Sequence, residues 1–105
     1  MIPELRKLKH TGSGNFFLLA GPCVIEDTTM AFPIAERLCK ISDKLNIPLV
    51  FKASFKKANR TRVDSFMGIG DENALKILEK VGEQFDIPVV TDIHTSDDAK
   101  RASQY

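Results

Sequence analysis

Three short apolar runs divide the chain, and two of them resemble each other closely. LNIPLVFKASF from Leu45 and FDIPVVTDIHT from Phe85 share the order apolar, Asn or Asp, Ile, Pro, apolar, Val, forty positions apart. NFFLLAGPCVIED from Asn15 is a third such run without the leading Pro. Proline is tolerated where a strand begins, and near-continuous apolar strands are typical of parallel sheets. The pattern predicts three parallel strands that are buried on both faces.

The residues between these runs follow the period of a helix. Apolar side chains recur every three or four positions, which gives each stretch one stripe that packs on a sheet. The stripes are Ile34, Leu38, Ile41 and Leu45 in the first stretch, and Leu75, Leu78, Val81 and Phe85 in the second.

The helix starts carry separate signals. Asp27, Thr28 or Thr29 is expected to cap the first helix, and Asp71 the second. Pro33 indicates that the first helix starts late or bends, because a proline in the second turn forfeits a hydrogen bond.

Strand and helix therefore alternate, and TSDDAKRASQY begins a third helix after Thr95 or Ser96. Two architectures fit this order: a small open α/β domain, or the first three βα units of a (β/α)8 TIM barrel, which takes about 250 residues in full. The length of 105 residues favours the small domain. An end inside a predicted helix, with a sheet edge left open, favours a fragment. We expect residues 1–105 to form the amino-terminal part of a single barrel domain.

Composition and charge exclude several classes of function. The chain is 43% hydrophobic, and its formal net charge of +1 generates no global field that attracts nucleic acid or an acidic membrane. The first residues lack the apolar core of a secretory signal, and no run reaches the roughly 18 apolar residues that span a bilayer. We expect a cytoplasmic protein in which Cys23 and Cys39 stay reduced.

Polar and charged residues collect where each predicted strand ends. In parallel α/β folds the ligand site lies beyond the carboxyl ends of the strands. The basic stretch KKANRTR from Lys56 follows the second strand directly, which predicts an anionic ligand. The strand-end groups are Cys23 and Glu26, then Lys52, Ser54 and Lys57, then Thr91, Asp92 and His94.

Several of these residues also have ordinary structural interpretations. Lys52 and Ser54 leave the same face of a strand, and a lysine there is costly unless it meets an anion. The basic stretch is either a solvated loop or a phosphate site, for which Arg60 offers a planar fork of donors. Cys23 is either a small buried hydrophobe or a ligand or nucleophile. Cys39 lies in an apolar stripe and is expected to pack.

Four segments resemble the 3-deoxy-D-manno-octulosonate 8-phosphate (KDO 8-phosphate) synthase family, in order from about Phe16 to the end of the chain. They are AGPCVIE from Ala20, FKASFKKANRT from Phe51, SFMGIG from Ser65 and IPVVTDIHTS from Ile87. The KANR element is the most specific. The related 3-deoxy-heptulosonate 7-phosphate synthases typically carry a KPRT-like sequence there, so the octulosonate family is favoured.

The resemblance implies a TIM-barrel transferase of lipopolysaccharide biosynthesis, active as a homotetramer. The implied reaction condenses phosphoenolpyruvate with D-arabinose 5-phosphate and water, and it yields 3-deoxy-D-manno-octulosonate 8-phosphate and phosphate. Lys52, Ser54 and Lys57 are expected to line the phosphoenolpyruvate site. Asn59, Arg60 and Thr61 are expected to meet the sugar phosphate, Arg60 across a subunit boundary. The implied catalytic residues are Lys57, Asp92 and His94, the last two at the sugar end of the pocket.

The resemblance also implies a divalent metal ion. Family members with Cys at the end of the first strand hold the metal, whereas members with Asn there do not, so Cys23 indicates the metal-dependent class. The other expected ligands, a His, a Glu and an Asp, belong to later strands that this chain does not contain, and one thiolate does not hold a catalytic metal. Lys56, Arg62 and Met67 depart from the common Asp, Ser and Arg of the family.

Other functions stay open on the sequence alone. One is the related heptulosonate reaction, and another is a stand-alone phosphate-binding α/β module without catalysis. A Schiff-base aldolase that uses Lys52 is disfavoured, because the sequence contains no specific feature that activates this lysine as a nucleophile, apart from its cationic neighbours. We expect the 105-residue piece by itself to be inactive, since three βα units leave a barrel unclosed.

Overall fold

The computed structural model describes residues 5–55 and 70–105. Strands and helices alternate along the chain: β1 (Leu18–Ala20), α1 (Ala31–Leu45), β2 (Leu49–Lys52), α2 (Asp71–Phe85), β3 (Val89–Val90) and α3 (Ser96–Ala102). The strands form one parallel sheet in the order β1-β2-β3. This is the arrangement of the first three βα units of a TIM barrel, which confirms the predicted fold class.

Both long helices cover the same face of the sheet. Leu49 and Phe51 of β2 point into a core that α2 fills with the buried side chains Leu75, Leu78 and Val81. The predicted apolar stripe of α2 is therefore confirmed. In α1 the stripe is confirmed only for Ile34 and Leu38, which are partly buried against the core, whereas Leu45 at the end of the helix is 51% exposed.

The opposite face of the sheet corrects the prediction that every strand is buried on both faces. Leu19 and Val90 are 50% and 36% exposed, whereas Val50 between them is only 4% exposed. These three residues share one face because paired residues of parallel strands point the same way. β2 has a strand on each side, while β1 and β3 each have one neighbouring strand among the described residues.

The predicted cap of α1 is wrong in position. The helix begins at Ala31 after Met30, and no side chain caps it. Asp27 instead closes the preceding turn, where its Oδ1 accepts the amides of Thr29 and Met30, both at 2.8 Å. Pro33 lies in the first turn, where amides have no acceptor within the helix. The late start that Pro33 indicated is confirmed, and no helical hydrogen bond is lost.

The other two helices differ in how they begin. Asp71 was expected to cap α2, but Gly70 holds the cap position without a side-chain bond and Asp71 is the first helical residue. The Asp71 carboxylate instead accepts a hydrogen bond from the Arg101 guanidinium on α3. The predicted start of α3 after Thr95 is confirmed, and Thr95 caps the helix, because its Oγ1 accepts the amide of Asp98 at 3.0 Å.

The segment before β1, residues 5–17, binds the carboxyl ends of both long helices. Asn15 Nδ2 donates to the carbonyls of Leu45 and Asn46 at 3.1 and 3.0 Å. Lys9 Nζ donates to the carbonyl of Phe85 at 3.4 Å. The last carbonyls of a helix lack partners within it, so this segment satisfies them from outside. It does so at the end of the sheet where the strands begin, away from the carboxyl ends of the strands.

Gly21 lets the chain after β1 pass close to β2. A Cβ atom at this position would lie 1.8 Å from the carbonyl oxygen of Lys52. Ala20 pairs with Phe51, and pairing resumes between Val24 and Ser54. The first strand therefore carries one extra residue, as in a β-bulge, which shapes the strand end next to Cys23.

We predict that Gly21→Ala lowers the free energy of unfolding of the complete protein by about 3 kcal/mol or more, because the added methyl group overlaps a fixed backbone carbonyl. Urea unfolding monitored by circular dichroism measures the change. Gly12→Ala is the matched control: a Cβ there meets nothing within 4 Å, so a change within about 0.5 kcal/mol is expected. Equal effects of the two substitutions would contradict the close approach.

Candidate functional site

Hydrogen bonds connect the carboxyl ends of all three strands. The Ser54 amide donates to the carbonyl of Cys23 at 3.2 Å. The Ser54 hydroxyl donates to Asp92 Oδ1 at 2.6 Å, and Asp92 Oδ2 lies 3.2 Å from Nε2 of His94. Four predicted site residues from three separate strand ends are thus one connected group, which we call the strand-end network (Cys23, Ser54, Asp92 and His94). The prediction that these residues converge is confirmed.

Lys52 adds positive charge to this network. It is the last residue of β2 and is half-buried. Both Lys52 and Ser54 act on the Asp92 carboxylate, as expected for two residues that leave the same face of a strand. The cation therefore lies beside the network, at the carboxyl end of β2.

The ionisation of Asp92 reflects opposing effects. Partial burial raises its pKa, but the Ser54 hydroxyl, the backbone amide of Asp92 and the positive charges of Lys52 and His94 together outweigh burial. The pKa of Asp92 consequently lies below its ordinary value of 3.8. Asp92 is a carboxylate at neutral pH, so it accepts hydrogen bonds and orients His94 but does not donate a proton.

The side chains of Asp92 and His94 remain accessible from solvent. Each is 39% exposed. Thr91, by contrast, does not join the network: its Oγ1 is buried and has no hydrogen-bond partner among the described residues. Accessible Asp92 and His94 suit contact with a bound molecule, whereas Thr91 belongs to the interior.

Cys23 and Cys39 lie in different environments. Cys39 packs against the core, and burial raises the pKa of its thiol, so its predicted packing role is confirmed. Cys23 is exposed, which excludes its interpretation as a buried hydrophobe. Within residues 5–55 and 70–105, no group of three or more His, Cys, Asp or Glu side chains is arranged to hold a metal ion. The Cys23 thiol fits the role of one ligand and does not complete a metal site.

Asp98 is a site residue that the sequence reasoning missed. It is only 2% exposed, and its Oδ2 accepts the main-chain amide of His94 at 3.1 Å. The spacing of Thr95 and Asp98 is that of a capping box, in which the side chain three residues after the cap reaches back towards the start of the helix. From the sequence alone, this spacing could have indicated that Asp98 binds a backbone amide at the start of α3.

The basic stretch after β2 lies outside the described residues. The predicted roles of Lys57, Asn59, Arg60 and Thr61 therefore stay predictions, as does the effect of Lys56, Arg62 and Met67.

In the part of the chain that the structure describes, no helix combines the length and apolar character that crossing a membrane requires.

Comparison with known proteins gives a consistent result. Residues 4–105 match the model of the DAHP synthetase I family. The 2-dehydro-3-deoxyphosphooctonate aldolase of Rickettsia felis is 49% identical over 92 residues, which are 85% of this chain and 34% of that protein. The protein of the same name from Geotalea uraniireducens is 46% identical over 106 residues, which are 99% of this chain and 39% of that protein. The chain spans roughly a third of the length of the curated relatives that it matches.

We predict that Ser54→Ala raises the pKa of Asp92 in the complete protein. The substitution removes the hydroxyl that favours the carboxylate, while the burial that disfavours it remains. NMR titration of the Asp92 carboxyl carbon measures the change, and Ser103→Ala, which removes an exposed hydroxyl bound to the Lys100 carbonyl, is the control.

The same pKa sets a direction for stability. Because the folded-state pKa of Asp92 is lowered, its stabilising contribution is present above 3.8 and is lost as the pH falls through the folded-state value. In Ser54→Ala this contribution should be smaller, and its loss should be complete at a higher pH. An Asp92 titration that does not move in Ser54→Ala would show that the hydrogen bond is not formed in solution.

Proposed function

Because the chain belongs to the DAHP synthetase I family, we propose that the complete protein condenses phosphoenolpyruvate with D-arabinose 5-phosphate and water. The products are 3-deoxy-D-manno-octulosonate 8-phosphate and phosphate. Relatives that are 43–49% identical carry the name of the aldolase for this phosphorylated octulosonate. The structural observation that carries the proposal is the strand-end network beside Lys52. It brings a cation, a carboxylate and an imidazole together at the carboxyl ends of the strands.

The proposed chemistry forms a carbon-carbon bond and a carbon-oxygen bond, breaks the carbon-oxygen bond to phosphate, and divides the two protons of water between the aldehyde oxygen and the departing phosphate. The methylene carbon of phosphoenolpyruvate bonds to the aldehyde carbon of the sugar, and the aldehyde oxygen takes up a proton. Water adds its oxygen at the enol carbon, and phosphate leaves with the oxygen that joined it to that carbon. Positive charge stabilises both the bound anions and the negative charge that develops on oxygen.

The described residues divide these tasks. Lys52 receives an anionic group of phosphoenolpyruvate, and Ser54 holds Asp92 in place. Asp92 stays ionised and orients the imidazole of His94, which is placed to hold or deliver a proton at the sugar aldehyde. The distances of 2.6 and 3.2 Å along this series support roles that act as a unit.

The remaining contacts are proposed from the family resemblance. Lys57 completes the phosphoenolpyruvate site, and Asn59, Arg60 and Thr61 bind the sugar phosphate. Support comes from chemistry: a guanidinium fork matches phosphate oxygens, and lysine supplies a compact charge. Homotetramer formation, with Arg60 serving a neighbouring subunit, and a place in cytoplasmic lipopolysaccharide biosynthesis belong to the same proposal.

Cys23 is proposed as a ligand to a divalent metal ion. Its exposed thiol at the end of β1 suits that role, and a His, a Glu and an Asp from later strands would complete the ligand set. When bound, the ion would supply Lewis-acid chemistry at the aldehyde and the attacking water.

The domain assignment is part of the proposal. Residues 1–105 would be the amino-terminal portion of one barrel domain, inactive in isolation. Exposed Leu19 and Val90 on one sheet face support it, because exposed apolar patches mark surfaces that pack against further protein. This observation disfavours a stand-alone binding module. The name of the family favours a second candidate, the heptulosonate reaction, in which erythrose 4-phosphate replaces the pentose phosphate.

We predict that the complete protein releases phosphate from phosphoenolpyruvate only when arabinose 5-phosphate is also present. Lys52→Gln should lower this rate by about 100-fold, because a cation that meets substrate charge is removed. The control is Lys76→Gln, on the exposed side of α2, which should leave the rate unchanged. Turnover with erythrose 4-phosphate in place of the pentose would assign the heptulosonate reaction, and no turnover with either sugar would reject both.

We predict that chelation abolishes turnover and that an added divalent ion restores it. Cys23→Ala should bind substoichiometric metal, measured by elemental analysis, because a thiolate ligand is lost. Cys39→Ala is the matched control, since that thiol packs in the core, and it should retain metal. Activity that survives chelation would reject the metal assignment without rejecting the condensation.

A further inference from the structure

Asp98 lies inside the protein but binds the loop that carries the strand-end network. Its side chain belongs to the first turn of α3 and is almost completely buried, with 2% of the residue exposed. One carboxylate oxygen, Oδ2, accepts the amide of His94 at 3.1 Å. In return, the amide of Asp98 donates to Oγ1 of Thr95 at 3.0 Å.

These two bonds fix the turn between β3 and α3 from both sides. Each bond joins residues three or four positions apart, so the backbone from His94 to Asp98 is closed into a compact reciprocal cap. His94 therefore has two attachments. Its main chain is held by Asp98, and its imidazole lies 3.2 Å from Asp92.

The burial of Asp98 shields the first attachment from water. A buried carboxylate is retained only where hydrogen bonds or charges compensate its lost hydration, and hydrogen bonds to an ionised acceptor are stronger than neutral ones. The side chains of Asp92 and His94, in contrast, are each 39% exposed. The bond to Asp98 is thus the buried one of the two attachments of His94.

We propose that Asp98 is a positioning residue for the condensation: by binding the main-chain amide of His94, its buried carboxylate sets the imidazole against Asp92. This inference rests on the proposed function for its kinetic consequences, although the positioning of the imidazole is measurable without turnover. A misplaced catalytic group lowers the rate of the chemical step more than it weakens substrate binding.

The test compares four variants of the complete protein. Asp98→Ala removes the acceptor, and Asp98→Asn retains an oxygen that can accept the His94 amide. Asp97→Ala is the matched control, because Asp97 is exposed in the same helical turn. Thr95→Ala, at an exposed position, removes only the returning bond and carries the test if Asp98→Ala does not fold.

The kinetic result expected for Asp98→Ala is a fall in kcat of about 10- to 100-fold with the KM for phosphoenolpyruvate nearly unchanged. Asp98→Asn should recover most of the activity, Asp97→Ala should match the wild type, and Thr95→Ala should lose several-fold in kcat. Hydrogen exchange of the His94 amide should accelerate in Asp98→Ala and Thr95→Ala. Faster exchange with an unchanged kcat in either variant would overturn the proposal.

A measurement independent of turnover separates this proposal from the proposed function. In the otherwise wild-type protein, Asp92→Asn should change the NMR chemical shifts of the His94 ring, because Asp92 Oδ2 lies 3.2 Å from its Nε2. In the Asp98→Ala background, or in Thr95→Ala, the same substitution should have a smaller effect. An undiminished effect would overturn the positioning role, whereas a wild-type protein without synthase activity would reject only the proposed function.

Discussion

The hydrogen bond between the Ser54 hydroxyl and the Asp92 carboxylate is the interaction on which the site depends. It joins residues 38 positions apart at 2.6 Å, across the ends of β2 and β3. Ser54 also binds the carbonyl of Cys23 through its amide, so this one residue ties all three strand ends together. Without the Ser54 hydroxyl, Asp92 would stay partly buried but lose its hydrogen bond at 2.6 Å. His94 would then be oriented mainly by the bond between its amide and Asp98.

The two ends of the sheet serve different purposes. At the end where the strands begin, side chains of residues 5–17 donate hydrogen bonds to the last carbonyls of α1 and α2. These hydrogen bonds stabilise that end of the sheet. At the other end, polar side chains meet each other and leave accessible atoms on Asp92 and His94. This division is the general one for barrels of parallel strands, where stability lies on one side and ligand contact on the other.

Charge at the mouth is balanced locally. Asp92 is kept ionised because hydrogen bonds and nearby cations outweigh its burial, and the same carboxylate offsets part of the charge of Lys52. On the proposed function, an anionic substrate would bind Lys52 while the Asp92 carboxylate orients His94. On the proposed function, the further cations of the basic stretch would supply the excess positive charge that two phosphorylated substrates require.

Local patterns were enough to predict the strands, the long helices and the polar residues at the strand ends, because apolar runs and helical spacing depend on neighbours within a few positions. The KANR element likewise indicates the family without any knowledge of the fold. The three-dimensional contacts were needed to establish that Asp71 pairs with Arg101 and does not cap α2, that Cys23 is exposed, and that Leu19 of β1 and Val90 of β3 are exposed on one face of the sheet. They also established that Asp98 holds His94. These outcomes depend on which distant segments come into contact and on the exact geometry of their turns, and local sequence patterns contain no measure of either.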